Sequence, residues 1–208
     1  MISALMVDVD GVLICGRPSD GKPWAASIEA DLGLTREQLQ REFFRPHWSK
    51  IVIGQGGLRE HLEPVLARIA PGVSYEKFVS YWFENDARLN IALLEEIQRW
   101  RTSGTKIYLA TNQEHVRAAH LMAEVGLQHH CDGILYSAAL GCRKPDLAFF
   151  DRAAELTGFA PEQLVLIDDT AENVVAARKA GWNAVTWEQQ SSLSSALDDL
   201  EKGTSETP

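Results

Sequence analysis

Two aspartates two residues apart end the first apolar run of the chain, Ala4-Leu5-Met6-Val7-Asp8-Val9-Asp10-Gly11-Val12. Residues i and i+2 of a strand share a face, so Asp8 and Asp10 can project into one crevice at the strand's carboxyl end, where open parallel sheets place ligands. Two acids this close repel unless a cation or a proton separates them, which points to a bound metal, one protonated member, or both. An Asp-Gly turn carrying a second surface acid is the plainer alternative. Three later segments bear on the choice. Residues 105–110 form a second apolar run that ends in Thr111-Asn112, and residues 164–167 form another that ends in Asp168-Asp169. Between them, Arg143-Lys144-Pro145-Asp146 sets a cation before a proline and a helix start, where the missing N–H of proline is not needed.

The elements that must carry these groups read as a strand, a helical insertion, and then alternating helices and strands. Residues 16–23 hold two glycines and two prolines and mark a loop or hinge. Thr35-Arg36-Glu37-Gln38 is a capping-box pattern opening a helix with apolar positions at Leu39, Phe43 and Phe44. Helical periodicity continues over 58–69 and 75–83, interrupted by Pro71-Gly72, so residues 16–88 read as a small all-helical lobe. From residue 93 the spacing predicts helices over 93–102, 114–125, 147–157 and 171–180, with strands over 105–110, 134–136, 164–167 and 183–186. Short connections between such units favour an α/β, doubly wound parallel sheet with right-handed crossovers. The expected division is a core of 1–15 and 89–201, an insertion of 16–88, and a polar tail over 202–208 that frays.

The order and setting of the four motifs resemble those of the haloacid dehalogenase-like superfamily, whose members are mostly magnesium-dependent phosphatases with an aspartate nucleophile. The resemblance covers about the whole chain outside 16–88 and implies a Rossmann-like core with a helical cap inserted after the first motif. It implies that Asp8 is the nucleophile, since a carboxylate attacking phosphorus in line splits a hard hydrolysis into two displacements. Asp10 would be the general acid and base, with the higher pKa of the two, and would also lend its backbone carbonyl to the metal. True dehalogenases lack that second aspartate, because a halide leaves without a proton. Thr111 and Asn112 would bind phosphate at the passage from strand to helix, a plain helix N-cap being the alternative. Lys144 would neutralise the phosphate and hold Asp8 ionised. The metal set would be Asp8, Asp10 and Asp169 with Asp168 in support, and the cofactor Mg²⁺. Where many relatives carry a further aspartate, this chain has Asn173, which bears on metal tightness.

A net charge of −9 over 208 residues argues against nucleic acid as a partner, because a phosphate backbone needs clustered cations. No stretch approaches the ~18 apolar residues of a membrane helix, and the N-terminus has no signal-peptide pattern. Cys15, Cys131 and Cys142 lack disulfide or zinc spacing, so the expected setting is the cytoplasm, and Cys15 is expected to pack. His129-His130 has no ligand spacing. In the lobe, Arg45, His47, Trp48 and Lys50 cluster after a helix, and Gly54-Gln55-Gly56-Gly57 reads either as a loop approaching the site or as an interhelical turn. Trp24, Trp82, Trp100, Trp182 and Trp187 read as core or rim packing. The functional expectation is hydrolysis of a small-molecule phosphate monoester. A phosphotransferase or phosphomutase of the same family, and a non-catalytic domain keeping the fold, are the alternatives.

Overall fold

The computed structural model describes residues 2–188 and 192–203. Five strands, β1 (Ala4–Val7), β2 (Lys106–Thr111), β3 (Gly133–Tyr136), β4 (Leu164–Asp168) and β5 (Asn183–Thr186), form one sheet in the order β3-β2-β1-β4-β5. Every pairing is parallel. β1 is buried at all four positions, as a central strand covered on both faces must be. Its side chains alternate between two apolar layers: Leu5 and Val7 on one face, Ala4 and Met6 on the other.

The helices follow the chain in two sets. In the lobe lie α1 (Ile28–Leu32), α2 (Arg36–Leu39), α3 (Arg45–Ile51), α4 (Leu58–Ile69) and α5 (Tyr75–Asn85). The capping box at α2 is present, with the Gln38 amide N–H donating to Thr35 Oγ1 at 3.1 Å and the Thr35 N–H to Gln38 Oε1 at 2.9 Å. A π-helical stretch, Gln40–Phe44, joins α2 to α3. The apolar core of the lobe draws only on residues between Ala25 and Phe83.

Around the sheet lie α6 (Ile91–Thr102), α7 (His115–Ala123), α8 (Ser137–Leu140), α9 (Leu147–Thr157), α10 (Ala171–Lys179) and α11 (Leu193–Gly203). Apolar residues of α6, α7 and α11 cover the Leu5 face, and those of α8, α9 and α10 the Met6 face. The two chain crossings between sheet and lobe run side by side: Ile14 bridges Leu89, and Cys15 N–H donates to Arg88 O at 2.8 Å.

Three sequence expectations are corrected. α7 starts after residue 114 because the buried Glu114 side chain is its N-cap, accepting from the Val116 and Arg117 amides. Pro145 lies outside α9, whose N-cap is Asp146, and the Lys144–Pro145 peptide is cis. The chain near the C-terminus is helical through Gly203, with Leu193 and Leu197 buried against the sheet, so the expected tail starts inside α11; residues 204–208 lie outside the described residues.

Candidate active site

The carboxyl ends of β1, β2 and β4 meet at one point. β1 continues into Asp8, whose N–H donates to Ile167 O at 2.9 Å, and the chain then turns at Gly11 with φ +83°. A Cβ on Gly11 would collide with the Asp169 carboxylate, so the turn and the β4 loop can approach this closely only with glycine. Lys144 is buried, and its Nζ lies 3.1 Å from Asp8 Oδ1 and 2.5 Å from Asp168 Oδ2, while donating to Ala110 O at 2.7 Å.

Asn112 sets the position of that lysine. Its Nδ2 donates to Lys144 O and its Oδ1 accepts from Lys144 N–H, both at 2.9 Å. Neither Thr111 nor Asn112 is a helix cap; Thr111 is buried at the end of β2, where its Oγ1 accepts from Gln113 Nε2 at 3.5 Å. Asp168 is wholly buried and its oxygens are occupied by Lys144, by the Thr170 N–H at 2.9 Å and by Asn173 Nδ2 at 3.0 and 3.1 Å. A carboxyl group at position 173 would repel Asp168, whereas the amide of Asn173 donates to it, which gives the departure at this position a physical reason. Asp169, by contrast, is exposed.

Carboxylate oxygens of Asp8, Asp168 and Asp169 lie within 4.8 Å of one another. Three acids face one ammonium here, and the donors are all hard oxygens, so a divalent cation of the Mg²⁺ type fits both the charge and the ligand chemistry. The electrostatics carry the same imprint. Burial pushes the Asp8 carboxyl up to about 7, with Asp168 and Asp10 adding to the rise and Lys144 opposing it. Asp169 is raised by burial and by Asp168. Burial works against the Lys144 charge, but Asp8 and Asp168 outweigh it and hold the ammonium protonated. The two acids of the first motif differ in setting. Asp8 is the buried one, 10 % exposed at its side chain, while Asp10 stands 52 % exposed.

Asp10 is gripped by residues that motif reading does not reach. Gln113 Nε2 donates to Asp10 Oδ2 at 2.6 Å, and Arg117 Nη2 lies 3.7 Å from Asp10 Oδ1. The same nitrogen is 3.0 Å from Asp86 Oδ2 and donates to Asp86 O at 2.6 Å, so one wholly buried guanidinium joins the core to the end of α5. Its Nη1 has no partner. Burial and the Asp10 charge raise Asp86 to about 6 against the pull of Arg117. The available signal is Gln113-Glu114-x-x-Arg117, three polar residues opening a helix, two of them on one helical face.

Two cavities meet at Asp10. One of about 340 Å³ is bordered by Asp8, Asp10, Thr111, Asn112 and Asp169. The other, about 790 Å³, lies in the lobe and is walled by Trp24, Phe44, Trp48 and Trp82, with Asp10 and Asp86 at its inner end. Trp182 and Trp187 are core residues and Trp100 packs against the sheet, but Trp24 and Trp82 face this cleft as well as packing. Of the cluster after α2, Arg45 and Trp48 line the cleft, and His47 and Lys50 do not. Gly54–Gly57 is the turn between α3 and α4, where Gly54 packs closely on Ala138 O. The half-buried Cys15 thiol donates to Val12 O at 3.6 Å.

A family model for haloacid dehalogenase-like hydrolases matches residues 2–181. The chain is 28% identical over 194 residues to a phosphoglycolate phosphatase of Thiobacillus denitrificans, covering 86% of this chain and 80% of that protein. It is 28% identical over 188 residues to the fructose-1-phosphate phosphatase YqaB of Escherichia coli, covering 88% and 95% respectively. A HAD family enzyme of Bacteroides thetaiotaomicron, crystallised with magnesium and inorganic phosphate, superposes with a TM-score of 0.78 at 16% identity, over 94% of this chain and 98% of that one. That likeness concerns the fold.

Proposed function

This chain belongs to the haloacid dehalogenase-like hydrolase family, and we propose that it is a Mg²⁺-dependent phosphatase that cleaves a small-molecule phosphate monoester through an aspartyl phosphate on Asp8. The observation that carries the reading is the strand-end cluster: the Asp8 carboxylate, 3.1 Å from Lys144, beside a second aspartate that is open to a cavity. A Mg²⁺ ion held by Asp8, Asp169 and, as the family resemblance implies, the Asp10 carbonyl would offset the cluster's negative charge and polarise the phosphate. Asp168 would support the ion by fixing Lys144.

The chain's own groups then account for the two displacements. The Asp8 carboxylate forms a bond to phosphorus as the bond from phosphorus to the ester oxygen breaks, and Asp10 gives its proton to the departing alkoxide. In the second step the Asp10 carboxylate takes a proton from water, whose oxygen attacks phosphorus and returns Asp8 to its free carboxylate. Lys144 bears on both steps by opposing the upward push of burial on the Asp8 carboxyl and by balancing phosphate charge. Thr111 and Asn112 border the cavity for the phosphoryl group, with Asn112 working through Lys144. The division into a core of 1–15 and 89–201 and a cap of 16–88 is part of this reading. So is a cytoplasmic setting; no described helix is long and apolar enough to cross a membrane.

Release of inorganic phosphate from a panel of esters, with and without Mg²⁺, tests the proposal. Turnover should need Mg²⁺, and Asp8→Asn should abolish both turnover and labelling by beryllium fluoride. Full activity after exhaustive chelation would remove the metal. An Asp8→Asn rate above about a thousandth of wild type would remove the nucleophile.

A further inference from the structure

We propose that the aromatic cleft of the lobe holds the alcohol half of the substrate, and that the enzyme selects phosphate monoesters whose alcohol carries a flat apolar ring system. This rests on the phosphatase reading and adds the substrate class. A group that protonates the leaving oxygen must touch the joint between phosphate and alcohol. Asp10 borders both cavities, so with the phosphoryl group among Asp8, Thr111 and Asn112 the alcohol extends past Asp10 into the larger one.

The walls of that cleft state what fits. Trp24 stacks on Trp82 with centroids 5.3 Å apart and planes at 28°, while Phe44 and Trp48 flank Trp82 at 5.9 and 5.8 Å. Each ring is braced by another, so the surface is formed before a ligand arrives. Trp24, Phe44 and Trp48 remain half-buried, with apolar faces turned to the cavity. Apart from Asp10 and Asp86, the charged residues bordering it, Arg36, Glu37, Arg41 and Arg45, are all exposed. The three arginines among them can draw in a phosphate dianion. A volume of about 790 Å³ belongs with ring-sized ligands. A two- or three-carbon alcohol would leave most of the aromatic wall wet.

The test compares 2-(1-naphthyl)ethyl phosphate with ethyl phosphate. Both lose an alkoxide of similar basicity, so their kcat/KM ratio reads recognition of the ring and not leaving-group reactivity. The ratio should be about a hundredfold or more, since even a single methylene in an apolar pocket is worth about tenfold. Trp48→Ala should cut the ratio about tenfold and Trp48→Phe should restore part of it. 2-Phosphoglycolate and fructose 1-phosphate are the rival arms. A ratio near one, or either rival preferred over the naphthyl ester, overturns the inference and leaves the phosphatase reading standing. A second readout needs no turnover: in Asp8→Asn with Mg²⁺, the naphthyl ester should change tryptophan fluorescence saturably, and with weaker affinity when Trp48 is also alanine. Binding of this kind without hydrolysis of any ester by the wild-type chain would sustain the cleft and sink the phosphatase. An unchanged affinity on loss of the Trp48 ring would sink the cleft.

Discussion

At the strand ends polar side chains are densely partnered; in the lobe cleft, rings and arginines face open space. Asp168 alone accepts from Lys144, Thr170 and Asn173, and Lys144 is buried among its acceptors. Arg36 and Arg45, by contrast, have no ion-pair partner among the described residues. The difference separates two tasks. Charge that must be fixed before a reaction starts is fixed by the fold, at the cost of burial, whereas a surface that selects a substrate keeps its contacts unused until the substrate supplies them. Asp10 and Arg117 lie between the two regions and belong to both.

The sharpest way to break the chemical region while sparing the recognition region is Asp10→Asn. The expected loss is about 10²–10⁴ in rate, the usual worth of acid and base catalysis, with Mg²⁺ affinity nearly kept because the backbone carbonyl remains. In single-turnover measurements of the first step, p-nitrophenyl phosphate should suffer less than an alkyl ester. Equal losses would take the proton-donor role from Asp10.

Arg117→Met cuts the link between the regions. It leaves Asp10 and Asp86 without their shared cation, and removal of one partner of a buried charge pair costs about 3–5 kcal/mol. Urea midpoints should fall accordingly, and kcat should fall more than KM rises, because Asp10 is displaced while the aromatic wall is not. Arg117→Lys should recover part of both. A loss confined to KM would place Arg117 in recognition alone.

Asn173→Ala probes the strand ends more gently. Asp168 loses two charge-assisted bonds, each partner of this kind being worth about 1.5–3 kcal/mol, but retains Lys144 and Thr170. Denaturant midpoints should drop by that order, with the naphthyl-to-ethyl ratio unmoved. A shift in that ratio would mean the two regions are coupled through β4.

The smallest effect is a slope. Asp86 is raised from 3.8 to about 6, so between those values the folded protein binds more protons than the unfolded chain, and this group's contribution to stability falls as pH rises through that window. Asp86→Asn should remove the contribution, so that the variant gains on the wild type from pH 4 to 6 in urea midpoints measured at both ends. Parallel pH profiles would show that Asp86 titrates normally.

The two regions also differ in how far the sequence discloses them. Asp8, Asp10, Thr111 and Asp169 are legible because each stands in a short motif at the end of an apolar run, where a parallel sheet collects strand ends at one edge, and Lys144 because it precedes a proline and a helix start. The sheet and α2, α4 and α5 of the lobe are legible from local pattern for the same reason, whereas the short α1 is not. Arg117 is not, since a lone arginine on a helix reads as a solvated charge until the fold buries it. The cleft is less legible still. Trp24 precedes α1, Phe44 ends a π-helical stretch with Trp48 one turn on in α3, and Trp82 comes from α5, so no single periodicity joins all four. Glu114 as a cap escapes because serine, threonine, aspartate and asparagine are the usual signals.

The place of β1 at the centre of the sheet has a consequence for synthesis. Its partners are Lys106–Thr111 on one side and Leu164–Asp168 on the other, so β1 leaves the ribosome long before either of its edges can be paired. At ~5–20 residues per second that is a delay of several seconds for an apolar segment with both edges open. The lobe, whose core draws on one contiguous stretch between Ala25 and Phe83, needs no such wait. The lobe is therefore assembled from local contacts before the sheet can close, and the strand-end cluster waits for β4.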